Sequence, residues 1–212
     1  MLFMMNSKIP VESRKREKYM AIIDAALEAF AEYGYHNCQV AKIARQAGIA
    51  DGTIYLYFAN KEDLLVSVFR EKMIEFISQL KVMLEDYDDV MEKLSALVHF
   101  NFNHLEKNPS LANFLQIQLR QSDNYIRSGI ADPLKQYYQI IEELVDEAKR
   151  QGYFNAAINT KVAREVIFGS MDEIVSCWVF NNRKYSLSKN AADVLTILRN
   201  GLTAEKSLND KA

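Results

Sequence analysis

The sequence predicts an all-α fold of about nine helices, on three observations. Apolar residues recur at helical spacing along almost the whole chain. No stretch alternates apolar and polar residues as a half-buried strand does. Only seven glycines and three prolines interrupt 212 residues, too few for a chain of short strands and turns.

The elements follow in order. Between residues 14 and 33, Ile22, Ile23, Ala26, Leu27 and Phe30 form one apolar stripe, and Gly34 is placed to close the helix in a left-handed conformation. Residues 35–39 connect to a short helix over 40–48, with Val40, Ile43, Ala44 and Ala47 on its apolar side. After the turn at Gly48, a second, very short helix carries three aromatics, Tyr55, Tyr57 and Phe58. A longer helix is expected over 60–86: Asn60 is a good N-cap, Asp63 makes an acidic first turn, and Leu64, Leu65, Val68, Phe69, Met73, Phe76, Ile77, Leu80 and Leu84 give a broad apolar face.

Residues 90–107 form the next helix. Asn108-Pro109 then supplies a cap and a first-turn proline for a helix through Phe114, Leu115 and Leu119 to about Gln121. Asp132-Pro133 repeats that start signal inside a segment reaching Arg150, where Gly152 ends it. The last two helices, over 161–181 and 188–207, are separated by a polar connector. There is no internal repeat. The predicted organisation is an N-terminal three-helix domain over 14–60 and a larger helical domain over 61–212, joined within continuous helix.

Several function classes are excluded at this level. No apolar run approaches the roughly 18–20 residues that span a bilayer. The N-terminus has its basic residues after its brief apolar stretch, which is not the order of a signal peptide. Cys38 and Cys177 stand far apart with no histidine at ligand spacing, so they read as plain buried residues of a cytoplasmic protein. His99 and His104 lack a further ligand, and neither a metal nor another cofactor is expected. No nucleophile–base pair or phosphate loop is recognisable, so an enzyme is not expected.

Net charge is −2. Residues 1–72 carry ten Lys/Arg against nine Asp/Glu, and residues 73–212 carry sixteen against nineteen. Local positive charge is what a DNA reader needs, and it exists at Arg14, Lys15, Arg16 and Lys18; the same cluster also suits a solvated helix start.

Two short helices joined at a glycine, the second presenting small polar residues and tyrosines, form a helix-turn-helix pattern. Gly52 has no side chain to hold the backbone away from DNA, and Thr53 can bond a base or phosphate and offer its methyl to thymine. Ile54 and Phe58, four apart, should plug the small core against Phe30 and Ile43. Tyr55 and Tyr57 point elsewhere, where they can reach phosphates or serve as half-buried packing. Lys61 is placed for a further phosphate contact.

Residues 14–65 resemble the DNA-binding domain of the TetR family of bacterial repressors, through AFAEYGY (29–35), VAKIARQAGIADGTIYLYFANKEDLL (40–65) and their spacing. One departure is Gln39, where the family usually opens the first short helix with Thr or Ser. With the resemblance, the candidate DNA face comprises Arg14, Lys15, Arg16, Gln39, Lys42, Ala50, Asp51, Gly52, Thr53, Tyr55, Tyr57 and Lys61. The resemblance implies a homodimer on operator DNA, with the last two helices forming a four-helix bundle with the partner. Val162, Val166, Ile167, Met171, Ile174, Trp178, Leu195, Leu198 and Leu202 supply stripes suited to that bundle or to packing within one subunit.

The likeness extends further to the members of this family that regulate fatty-acid degradation in Bacillus, through residues 55–73, 118–122, 163–179 and 183–185. It implies a repressor of β-oxidation genes released by long-chain acyl-CoA in the C-terminal domain; the alternative is a repressor sensing another hydrophobic molecule, such as a drug or dye. An acyl chain needs a narrow apolar tunnel and its head needs basic residues at the mouth. Residues 73–212 supply seven Phe, six Tyr and one Trp. Lining candidates are Phe76, Leu80, Phe114, Leu115, Leu119, Phe168, Met171 and Trp178, each of which also suits plain core. Arg120 is the candidate anchor, or else pairs with Asp172. Of Asp172 and Glu173, one should face solvent and the other meet Arg120 or polar ligand atoms.

Overall fold

The structure is a computed structural model in which residues 11–118 and 124–203 are described. Among the described residues are eight α-helices and two short 3-10 segments, with one isolated backbone bridge between Phe154 and Thr203. The fold is all-α. The chain forms two compact units that divide between Glu71 and Lys72.

The first unit contains α1 (Val11–Tyr33), α2 (Val40–Gln46), a 3-10 segment (Asp51–Leu56) and the opening of α3 (Lys61–Leu84). Gly34 ends α1 at φ +74°, its N–H bonded to the Phe30 carbonyl at 3.0 Å, and Gly48 turns the chain at φ +69°. A side chain at either position would be strained. Ile22, Ile23, Phe30, Ile43, Ile54 and Phe58 build the core, each no more than 2% exposed. The α3 start is fixed reciprocally. Asn60 accepts from the Asp63 N–H at 2.7 Å, and Asp63 accepts from the Ala59 N–H at 2.9 Å. Such caps contribute about 1 kcal/mol.

The second unit contains the rest of α3, then α4 (Val90–Lys107), α5 (Pro109–Gln118), α6 (Asn124–Arg150), α7 (Thr160–Phe180), a 3-10 turn (Ser188–Asn190) and α8 (Ala191–Leu202). Asp89 caps α4 by accepting from the Met91 and Glu92 N–H groups at 2.8 and 2.9 Å, and Asn159 caps α7 in the same way. The α7 helix packs against α6, α5, α4 and α8, so it forms the middle of this unit. No described helix is long and apolar enough to cross a membrane.

Three expectations change. Asp132-Pro133 starts no helix, because Pro133 lies inside α6. Ile126, Ile130, Pro133 and Tyr137 are all buried at spacings of four, three and four, so one packed face runs through the proline. That burial offsets a local cost of about 3 kcal/mol. The final helix begins at Ala191 after the 3-10 turn, not at Ser188. Finally, Ile167, Met171, Trp178, Leu195, Leu198 and Leu202 are buried within their own chain. Of the proposed bundle stripe, Val162 and Val166 remain exposed at 54% and 50%, joined by Phe180 at 71% and Ile197 at 70%. The exposed apolar strip thus keeps Val162 and Val166 of the expected stripe and adds Phe180 and Ile197.

Candidate functional site

In the first unit, Ala50 is extended and opens the Asp51–Leu56 turn of 3-10 helix. Six residues of this tighter helix separate inside from outside sharply. Ile54 is 1% exposed, whereas Tyr55 is 56% and Leu56 80% exposed. Asp51 and Gly52 are exposed, Thr53 and Tyr57 half-buried. A side chain built at Gly52 meets no atom within 4 Å, and its φ is an ordinary one. The fold therefore does not require glycine there; whatever approaches from outside can. Leu56 escapes the sequence reading, although the period that buries Ile54 and Phe58 leaves it outside.

Lys15, Arg16, Tyr19 and Tyr57 line a shallow pocket of about 250 Å³. It joins the basic cluster of α1 to Tyr57, just after the 51–56 segment. Arg14 is exposed beside them. Arg16 is also held internally, its guanidinium paired with both Glu71 oxygens at 3.2 and 2.8 Å and lying 5.0 Å over the Tyr19 ring. The Arg16 hydrogen bond holds the Glu71 carboxyl below its usual range.

Lys42 sits 3.8 Å over the Tyr33 ring. Lys61 bonds the His36 carbonyl at 3.3 Å and lies 4.6 Å over the Tyr35 ring. Its ammonium thus also braces the connector after α1. Gln39 opens α2 with extended backbone and no side-chain cap bond.

The second unit holds a small apolar cavity of about 50 Å³. Of the residues singled out from the sequence, Phe76, Leu115, Phe168, Met171 and Asp172 line it. Leu80, Phe114 and Trp178 do not. They are core residues at 0%, 0% and 3% exposure, and the Trp178 indole donates to the Tyr185 carbonyl at 2.8 Å. Leu119 and Arg120 lie outside the described residues.

The remaining lining includes Met73, Asn101, Leu105, Gln116, Tyr137 and Val175, which sequence reasoning missed. The available signal was polar residues on otherwise apolar faces. Gln116 and Ser176 are the buried polar residues of the described chain. Ser176 donates to the Gln116 side-chain carbonyl, and the Gln116 amide donates to Asp172 at 2.9 Å. On another wall, the Asn101 amide donates to the Tyr137 hydroxyl at 3.3 Å. Burial pushes the Tyr137 phenol far up, so it stays protonated. Glu173 faces solvent and accepts from the Cys177 thiol at 3.5 Å. Cys38 is buried as the sequence suggests, but Cys177 is exposed, because it shares the outer face of α7 with Glu173. The cavity is greasy with two polar poles, and can take an apolar ligand that carries a hydrogen-bonding group.

A helix-turn-helix unit joined to a helical unit with an apolar cavity defines a ligand-responsive regulator. Comparison with known proteins agrees: the description "Bacterial regulatory proteins, tetR family" matches residues 22–68, and "YsiA-like protein, C-terminal region" matches residues 69–201. The chain belongs to the TetR family. It is 44% identical over 189 residues to the fatty acid metabolism regulator protein of Bacillus subtilis, covering 89% of this chain and 97% of that one. Among solved structures it is similar to the transcriptional regulator FadR from Bacillus subtilis in complex with stearoyl-CoA, with a TM-score of 0.83, 43% identity, and coverage of 87% of this chain and 99% of that one. The fatty acid degradation regulator FadR from Bacillus halodurans matches with a TM-score of 0.82, 45% identity and the same coverage.

Proposed function

We propose that this chain is a TetR-family repressor of fatty-acid-degradation genes, binding operator DNA as a homodimer and released by long-chain acyl-CoA. The observation that carries the reading is the apolar, polar-poled cavity of the second unit in a chain 43% identical to a regulator solved with stearoyl-CoA. The first unit reads DNA through the exposed side of the 51–56 segment, flanked by Arg14, Lys15 and Lys42. In a dimer, two such segments must meet major grooves about 34–36 Å apart. A protein of this class works in the cytoplasm, and its role is regulatory, not catalytic.

The cavity of about 50 Å³ is far below the roughly 300–1,000 Å³ of ordinary ligand sites. An acyl chain therefore enters only by opening the unit. Burying sixteen methylenes contributes about 13 kcal/mol in total, enough to offset a substantial opening cost. Opening is also what makes the ligand selective between two forms of the protein. Equal affinity for both would move no repressor from DNA. The α3 helix, which begins in one unit and ends in the other, is the covalent route between cavity and reading segment.

A gel-shift titration tests the reading: operator complexes should dissociate as stearoyl-CoA saturates the protein. Complexes that persist at saturation would remove the effector assignment. Equal binding of acyl-CoA and free fatty acid would move the effector to another hydrophobic class.

Dimerisation is proposed through the exposed strip of Val162, Val166 and Phe180 on α7 and Ile197 on α8. Phe180→Asp together with Val166→Asp should yield a monomer by light scattering and lose cooperative operator binding. A dimer that survives both changes would place the interface elsewhere.

A further inference from the structure

Arg16 stands in the basic cluster of α1, yet its charge is already matched. Its guanidinium meets both carboxylate oxygens of Glu71 on α3, at 3.2 and 2.8 Å, in the forked geometry with which arginine also grips a phosphate. It lies 5.0 Å over the Tyr19 ring, and the Tyr19 hydroxyl hydrogen-bonds the same carboxylate. The Arg16 side chain is 59% exposed and that of Glu71 18%. The anion is thus held by the fold, while the cation stays open to whatever approaches.

The pair sits beside the reading segment, within the first unit. Tyr19 stacks on Phe58 at 5.3 Å, and Lys15, Arg16, Tyr19 and Tyr57 share one shallow pocket. A strand of a duplex that passes Tyr57 therefore also passes Arg16. Lys42 makes a contrast, because it rests 3.8 Å over the Tyr33 ring, a neutral partner that leaves its charge in place.

We propose that Glu71 is a brake on operator binding: it stands in for a DNA phosphate, keeps the Arg16 guanidinium occupied, and holds operator affinity below what the basic end of α1 could supply. This rests on the DNA-binding reading above. Leaving Glu71 for a phosphate would strand a carboxylate with little access to water beside a polyanion, so the guanidinium stays where it is. A cation already neutralised releases few counterions from DNA and adds little to the grip. Glu71 is a positioning residue, since it acts on DNA only through Arg16. The brake suits a protein that must let go. An effector releases a repressor only as far as its affinities for the two forms differ, so a moderate grip keeps release within reach.

The test uses the full chain, a duplex that the wild type selects from a random-sequence pool, and an unselected duplex beside it. Affinity is read by fluorescence anisotropy across a range of salt. Glu71→Gln keeps the length of the side chain and an acceptor for Tyr19 but removes the charge. It should bind both duplexes about tenfold more tightly, the worth of one charged hydrogen bond to phosphate. Its plot of log affinity against log salt should steepen by about 0.9 for each subunit on the duplex. Adding Arg16→Ala to Glu71→Gln should return both quantities to wild-type values, whereas Arg16→Ala alone should leave the slope unchanged. A wild-type helical spectrum checks each fold. Affinity of Glu71→Gln at or below wild type, or a flatter slope in Arg16→Ala alone, overturns the brake. Tighter binding that Arg16→Ala does not reverse belongs to the charge of Glu71 alone and overturns the role given to Arg16. Failure of the wild type to enrich any duplex overturns the DNA-binding reading, and the brake with it.

Discussion

Phe58→Ala should abolish operator binding and cost the first unit about 3–5 kcal/mol of stability. The ring is 2% exposed and stacked on Tyr19 at 5.3 Å, so its removal leaves a hole at the point that anchors the end of the reading segment. Tyr55→Ala is the matching control. That side chain is 56% exposed and contributes little to packing. Its loss should leave unfolding unchanged and weaken operator binding about tenfold, the worth of one good polar contact. Denaturant unfolding followed by circular dichroism, run beside a gel shift, separates the two cases. Wild-type operator affinity in Phe58→Ala would mean that this core does not position the reading segment.

The second large effect is expected from Leu115→Trp, which should give a repressor that no longer responds to its effector. Leu115 is half-buried on the cavity wall, so an indole can occupy the small void and lean outward without unpacking α5. Excluding four methylenes of an acyl chain removes about 3 kcal/mol of burial, or roughly a hundredfold in affinity. Operator binding should persist at acyl-CoA concentrations that release the wild type. A variant released as readily as wild type would show that the chain does not pass Leu115.

Local signals made most of the fold legible. Gly34, Gly48, Asn60 and Pro109 act on their immediate neighbours, and the structure uses each where the local rule places it, although Asn108 turns its side chain back to the His104 carbonyl at the end of α4. Asp132-Pro133 misled because its local rule competes with long-range packing. The face through Ile126, Ile130 and Tyr137 continues across the proline, and a single sequence does not reveal what that face packs against. The cavity has the same difficulty in sharper form. Phe76 and Phe114 look alike by spacing, yet one borders a void and the other is enclosed at 0% exposure. Tertiary placement alone separates them. Gln116, which the sequence reading passed over, is a buried amide bonded to Ser176 and Asp172, and a buried amide needs a reason. The bracing contacts of Lys61 were hidden for a related cause: its partners, His36 and Tyr35, come from a loop whose path the period does not give.

On the proposed reading, the small volume of the cavity would make the protein a length gauge. Opening about 50 Å³ to admit a chain costs the same whatever enters, whereas each methylene contributes about 0.8 kcal/mol. Every two-carbon step then changes affinity by roughly fifteenfold. Degradation that removes two carbons per round would carry its own signal down that slope. The repressor would return to DNA while short acyl groups were still abundant, so the genes would answer to how long the chains are, as well as to how many there are.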